Sequence, residues 1–183
     1  DTQDTCDGEF PHIVFRGAKD IFSNFFPIPS GIPSLGRTWP TVEHAYQAMK
    51  ASFLDQPWLL SVIRRTTDPI QVKRRVSYEL YDCNPELVHE WNKIRVKVME
   101  SLLQLKLSAL PCLKDTLLNS KGVIVEGTTD LFWGSGHGAK QTALKHHSCW
   151  NGQNMMGQLW MKLRRKLQSS ETASPVQCFP VSQ

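Results

Sequence analysis

The sequence predicts an α+β fold that is mainly α-helical, built as a single domain with a few short strands. Helix-start signals recur along it, at Thr41, Asp55-Gln56-Pro57, Asp68-Pro69, Asn84-Pro85 and Pro111. Against these stand only short runs rich in β-branched and aromatic residues, His12-Ile13-Val14-Phe15-Arg16 and Val123-Ile124-Val125-Glu126. The chain has 183 residues, 40% of them hydrophobic, which is long enough to bury a core without metals or disulfides. It holds no run of about 18 apolar residues, so a helical membrane span is excluded.

Residues 1–11 are polar and acidic and lack periodicity, so a flexible arm is expected, followed by a folded domain over 12–168. Residues 12–16 alternate weakly and read as a strand. Phe22 to Gly36 holds three prolines and two glycines among aromatic residues, which predicts an ordered loop with little regular structure. Arg37-Thr38-Trp39 reads as a short second strand feeding a helix capped by Thr41. A second helix runs to about Arg65, a third starts at Pro69, and the longest runs from Pro85 to about Ser108. Trp91, Ile94, Val98, Leu102 and Leu105 recur along it every three or four residues and are expected to face the core.

Pro111 opens a shorter helix that ends near Ser120, with Lys121-Gly122 as its stop. The apolar run 123–126 is a strand delivering the loop Gly127 to Gly138. A final helix from about Gln153 places Met156, Leu159, Trp160, Leu163 and Leu167 on one face, and Lys162, Arg164, Arg165 and Lys166 mostly on a solvated one. From Ser169 the composition turns Ser/Thr/Pro/Gln-rich, which predicts a disordered tail over 169–183.

The net charge of +4 is compatible with a phosphate-rich partner and falls short of the density of a non-specific duplex binder. The five cysteines are odd in number and scattered, so they read as reduced thiols. With no charged-then-apolar leader, an intracellular location in cytoplasm, nucleus or both is expected. His137, His146, His147 and Cys149 lie close in sequence but fit none of the usual zinc spacings, so no metal is expected.

The chemistry concentrates on Trp39-Pro40-Thr41-Val42-Glu43-His44-Ala45-Tyr46-Gln47-Ala48-Met49-Lys50. Val42, Ala45, Tyr46, Met49 and Phe53 share one helical stripe, and Glu43, Gln47 and Lys50 a second, polar one about a quarter-turn away. An acid, an amide and an amine thus share the edge of a buried face. Farther on, Asp130 and Trp133 offer a carboxylate and a flat apolar surface, suited to gripping a ribose and stacking a base. The glycines of Gly134-Ser135-Gly136-His137-Gly138 permit close backbone approach to an anion.

This helix motif resembles the hallmark of the NADAR (YbiA-like) family. Ser23-Asn24-Phe25-Phe26-Pro27, Asp130-Leu131-Phe132-Trp133-Gly134 and Gly152-Gln153-Asn154-Met155-Met156-Gly157 resemble its other blocks, in the same order. The resemblance implies a YbiA-like single domain with Glu43, Lys50, Asp130 and Trp133 at the active site. It also implies nucleotide or ADP-ribose chemistry, because characterised members hydrolyse N-glycosidic bonds. One branch acts on riboflavin-pathway intermediates, and another removes ADP-ribose from guanine bases in nucleic acid.

Those residues suit that chemistry. Breaking a C–N bond to ribose builds positive charge at the anomeric carbon, which a carboxylate such as Glu43 stabilises while it activates water. Lys50 either attacks the opened sugar's carbonyl as a neutral amine or serves as a phosphate-binding or ion-pairing lysine. Asp130 would hold ribose hydroxyls or share the acid/base work, with Gln47 and Gly134 alongside. Ser23, Asn24, Arg37, Gln153 and Asn154 are candidate phosphate donors, the last two because a helix start attracts anions. Trp39 or Phe15 flanks the base, and Trp91 with Arg95 resembles a further family position, although its spacing also suits a core tryptophan.

The expected function is a metal-independent N-glycosidase with no cofactor, acting foremost on ADP-ribosylated guanine in DNA or RNA. The alternatives are hydrolysis of a riboflavin-pathway intermediate carrying ribose 5-phosphate, and a non-catalytic ADP-ribose-binding module. The expected partners are an ADP-ribose-containing substrate and ADP-ribosylated DNA or RNA, with no membrane, and the chain is expected to be a monomer.

Overall fold

The structure, a computed structural model, describes residues 7–172. Their elements run β1 (His12–Phe15), β2 (Ile32–Ser34), β3 (Arg37–Trp39), α1 (Val42–Phe53), α2 (Leu59–Arg65) and α3 (Pro69–Glu79). They continue with α4 (Pro85–Ala109), α5 (Pro111–Asn119), β4 (Val123–Glu126), α6 (Ala139–Ala143) and α7 (Met155–Thr172). The fold is thus mainly helical α+β with short strands, as the start signals imply. The caps form as expected: Thr41 Oγ1 accepts from His44 N, Asp68 Oδ1 from Ile70 N and Asn84 Oδ1 from Glu86 N.

β1 and β4 pair in parallel, Phe15 opposite Glu126, although five helices lie between them in sequence. This pairing carries the end of β4 to the same side of the molecule as the start of α1. α7 packs along β4, and α4 packs against α1, α5 and α7. Gly157 makes the first contact possible, because a Cβ there would collide with the Ile124 carbonyl and the Asn154 side chain. Trp160, fully buried, ties α7 to the aromatic loop by donating from Nε1 to the Phe22 carbonyl at 3.0 Å.

Four details depart from the expected outline. Residues 32–34, read as loop, form β2 and pair antiparallel with β3 across the two-residue turn Leu35-Gly36. Both turn residues have positive φ (53° and 68°), the turn type whose twist matches a hairpin, and a Leu at the first position hides that signal. The short helix α6 was likewise not foreseen. On α4 the buried side chains are Trp91, Met99, Leu102, Leu103 and Lys106, whereas Ile94 is exposed. At the ends, Gly8 N bonds to the Leu144 carbonyl and Asp7 pairs with Lys145, so residues 7–11 are anchored rather than loose. α7 continues helical to Thr172 into the stretch read as tail. Residues 1–6 and 173–183 of the two expected flexible ends lie outside the described residues.

Cys149 is disulfide-bonded, which overturns the reading of every cysteine as a reduced thiol, while Cys83 and Cys112 are free. Among the described residues no helix is long and apolar enough to cross a membrane, and no group of three His, Cys, Asp or Glu side chains could hold a metal ion.

His44 locks the start of α1 to the end of α2. Its Nδ1 lies 2.8 Å from Thr41 Oγ1 and its Nε2 2.8 Å from the Thr66 carbonyl. The carbonyl can only accept, so Nε2 carries the proton and Nδ1 accepts from the hydroxyl. Burial pushes the pKa of this imidazole down. The unfolded chain therefore binds the extra proton first, and this group's contribution to stability is present above about pH 6.5 and is lost as the pH falls below it. His44→Gln should flatten that acid limb in urea titrations compared across pH; parallel slopes for both proteins would refute it.

Candidate active site

Where α1 begins, the aromatic loop, β4, α3 and α7 meet around a small cavity of about 40 Å³. Its lining includes Asn24 and Phe25 from the loop, Glu43, Tyr46 and Gln47 from α1, and Glu126 from the end of β4. Lys73 of α3, Met99 of α4, Trp133 of the Asp-x-Phe-Trp turn and Met156 of α7 complete it.

Helical pitch stacks Glu43 and Gln47 one turn apart, and Gln47 Nε2 donates to Glu43 Oε1 at 2.8 Å. Both are nearly fully buried, so the polar stripe of α1 faces inward at this point rather than to solvent. Glu43 N bonds to the Asn24 carbonyl, and Lys106 Nζ donates to the Ser23 carbonyl at 2.6 Å, which together hold the aromatic loop against α1 and α4. Lys106 is itself fully buried, and desolvation pushes its pKa down to about 7.

Two carboxyls line this cavity, and burial raises the proton affinity of both. Glu43 is shifted up chiefly by desolvation, with Lys73, the Gln47 bond and Lys50 opposing. Glu126 is pushed up to about 7, first by burial and further by the charges of Glu43 and Asp130, with Lys73 opposing. Both carboxyls therefore resist ionisation, so the cavity favours keeping a proton on this pair. Because a raised carboxyl pKa costs stability above the unfolded value, Glu126→Gln should stabilise the protein at pH 8 by about 3 kcal/mol, seen as a higher melting temperature, and have no such effect at pH 4.5. An unchanged melting temperature at pH 8 would show that Glu126 is not desolvated.

Asp130 has one oxygen committed and one turned toward the cavity's cation. Its Oδ1 accepts from Phe132 N at 2.9 Å and Trp133 N at 2.7 Å, shaping the turn that presents Trp133, while Oδ2 lies 3.9 Å from Lys73 Nζ. The Trp133 ring stands edge-on to Tyr46 at 5.8 Å, and Tyr46 packs on Trp91 at 5.5 Å. Trp91 is thus a core residue behind the wall. Lys50, half-buried, does not line the cavity. Its ammonium lies in the fields of Glu43, Arg95 and Lys73, and burial pushes its pKa down. Arg95 stacks 3.6 Å over Phe132.

The remaining sequence-derived residues go elsewhere. Arg37 and Trp39 line a separate surface groove with Arg64, and Trp39 is buried with its Nε1 donating to the Ser34 carbonyl. Ser23 is buried, with its hydroxyl accepting from Phe25 N. Gln153 and Asn154 were expected to offer a helix start to phosphate, but the N–H groups of residues 152–156 are already donated to the carbonyls of 135, 131, 134, 132 and 133. Asn154 instead clamps β4, donating to the Ile124 carbonyl and accepting from Glu126 N. Gly134 is required by close approach, since a Cβ there would strike Thr128 and crowd the Glu126 carbonyl.

Sequence reasoning missed Glu126, Lys73 and the wall residues Phe25, Tyr46 and Met99 as cavity groups. Glu126 left a signal, a carboxylate closing an apolar strand just before a glycine-rich loop; Lys73 left none, because its helix shows no polar stripe tied to the motifs.

The family model of the NADAR domain matches residues 14–168. The chain is 33% identical over 148 residues to the N-glycosidase YbiA of Escherichia coli, covering 80% of each protein. It is 32% identical over 173 residues to the chloroplastic riboflavin biosynthesis protein PYRR of Zea mays, 88% of this chain but only 26% of that protein's length. In three dimensions it is similar to the NMR structure of E. coli YbiA, with a TM-score of 0.66, 28% identity and 97% of both chains covered.

Proposed function

The chain belongs to the NADAR domain family, and on that premise we propose that it is a hydrolase of N-glycosidic bonds to ribose. The observation that carries the proposal is the single cavity in which two carboxyls of raised proton affinity, Glu43 and Glu126, stand beside the Tyr46–Trp133 wall. When the bond from C1′ to nitrogen breaks, the base leaves with the bonding pair and positive charge grows on the anomeric carbon. Ionised Glu43 stabilises that charge and takes a proton from the attacking water, whose oxygen bonds to C1′. Protonated Glu126 supplies the proton that the departing nitrogen needs, and transfer between the two carboxyls resets the site. Activity should therefore decline above about pH 7, as Glu126 loses its proton. A rate that stays flat to pH 9 would remove Glu126 from the acid role.

For the substrate, the proposal is ADP-ribosylated guanine in DNA or RNA. Lys73 lines the cavity, while Lys50 and Arg95 stand outside its lining with their charges acting on Glu43 and Tyr46, and the three together would hold a pyrophosphate better than a single phosphate needs. A second reading, a ribosyl monophosphate intermediate, is supported by the riboflavin biosynthesis proteins among the chain's relatives. Mass spectrometry after incubation with an ADP-ribosylated oligonucleotide and with a ribosylaminopyrimidine 5′-phosphate separates the two. Release of unmodified guanine supports the first, and release of the base from the monophosphate alone supports the second. Failure on both would refute the N-glycosidase proposal.

A further inference from the structure

α3 turns Val72 and Val76 to the core, and helical pitch therefore sets Ile70, Arg74 and Tyr78 on its opposite side as one stripe. All three are exposed, and Tyr81, whose N donates to the Tyr78 carbonyl at 3.3 Å, continues the stripe past the helix end. Tyr78 is 78% and Tyr81 86% exposed, so two aromatic rings and Ile70 stand in water on one element, the pattern of an interaction site rather than of scattered surface residues. Arg74 makes no ion pair among the described residues, whereas its neighbour Arg75 pairs with Glu79 at 2.8 Å. Residues 64–75 hold five cations, Arg64, Arg65, Lys73, Arg74 and Arg75, against one acid, Asp68, an excess as large as that of the whole chain. On the flank between this outer stripe and the core, Lys73 reaches the cavity, so one helix serves both surfaces.

We propose that the outer face of α3 and the turn after it dock a single strand of nucleic acid, with bases stacked on Tyr78 and Tyr81 and the phosphodiester backbone held by Arg74. Flat rings beside a free guanidinium bind an unpaired strand by stacking and charge, without reading its sequence, whereas a duplex keeps its base faces covered. Asp82 adjoins Tyr81 and repels phosphate, which leaves the backbone contact to the Arg74 end. Tyrosine and arginine also serve protein interfaces, but the local excess of cations matches a polyanion. The inference deepens the N-glycosidase reading, and rests on it only for the delivery of a modified base from this strand to the cavity.

The test is fluorescence anisotropy at low salt with an unmodified, labelled single strand of about 12 nucleotides, and with its duplex. The single strand should bind more tightly than the duplex. Tyr78→Ala and Tyr81→Ala should each weaken it at least about fivefold, Tyr78→Phe should bind as the wild type does, and Arg74→Gln should lower the salt slope by about 1. Unchanged melting temperatures check that these surface variants fold. No binding of the strand, equal binding of the duplex, or indifference to both alanine exchanges would overturn the inference. Self-association that Tyr78→Ala abolishes, with no strand bound, would overturn it too and give the face to a second copy of the chain. Strand binding without turnover of any ADP-ribosyl or ribosyl-phosphate substrate would instead overturn the hydrolase reading and leave the docking surface standing. Cleavage of such a substrate by a protein that binds no strand would do the reverse.

Discussion

Glu43→Gln is expected to lower kcat about 10³-fold while leaving the protein folded, within the range for removing a general base that also stabilises transition-state charge. The exchange is nearly isosteric, and the new amide can still accept from Gln47 Nε2 through its oxygen. It also removes a carboxyl whose ionisation burial opposes, so the melting temperature above neutral pH should rise rather than fall. Loss of activity with equal or greater stability is the signature of a residue kept for chemistry at a cost to the fold. Single-turnover rates on the cleaved substrate, measured beside thermal melting, check both halves. A variant with more than a tenth of the wild-type rate would exclude Glu43 from the chemical step.

Asn154→Ala is expected to act through the fold. The side chain satisfies Glu126 N at 3.1 Å and the Ile124 carbonyl at 2.9 Å, two backbone groups in the interior of the β4 and α7 contact. Leaving both unpaired costs about 2–5 kcal/mol, or a drop in melting temperature of roughly 5–15 °C for a chain of this size. Asn154 also has φ of 50°, a conformation that Asn tolerates and Ala does not, which adds to the loss. Activity should fall along with stability, because Glu126 is displaced, while the salt dependence of substrate binding should stay unchanged. A variant of normal stability that loses only phosphate-dependent affinity would restore the role first read from its place at a helix start.

The comparison of these two residues shows how much of the site was legible. Glu43 was found because α1 carries its cap, its apolar stripe and its polar stripe within one short segment, and helical pitch alone puts Glu43 and Gln47 on one edge. Asn154 was recognised as belonging to the site region but given the wrong work. Its motif position says that it begins a helix, and nothing local says that the loop at 131–135 already occupies the helix's free N–H groups. Lys50 shows the same limit. Its spacing from Glu43 is right, yet the cavity lies along Glu43, Tyr46 and Gln47 and stops short of it. Trp39 belongs by sequence to the motif and by packing to a different face.

By itself the sequence determined where the helices start, which strands are short, and which helix carries the acid, because caps, prolines and periodicity act within a few residues of themselves. Only the tertiary structure decided that β1 pairs with β4, and so brings Glu126 to Glu43, and that α3 supplies Lys73 across from Asp130. Those meetings join residues far apart in the chain, and the desolvation that raises both carboxyls exists only once the intervening helices have closed over them.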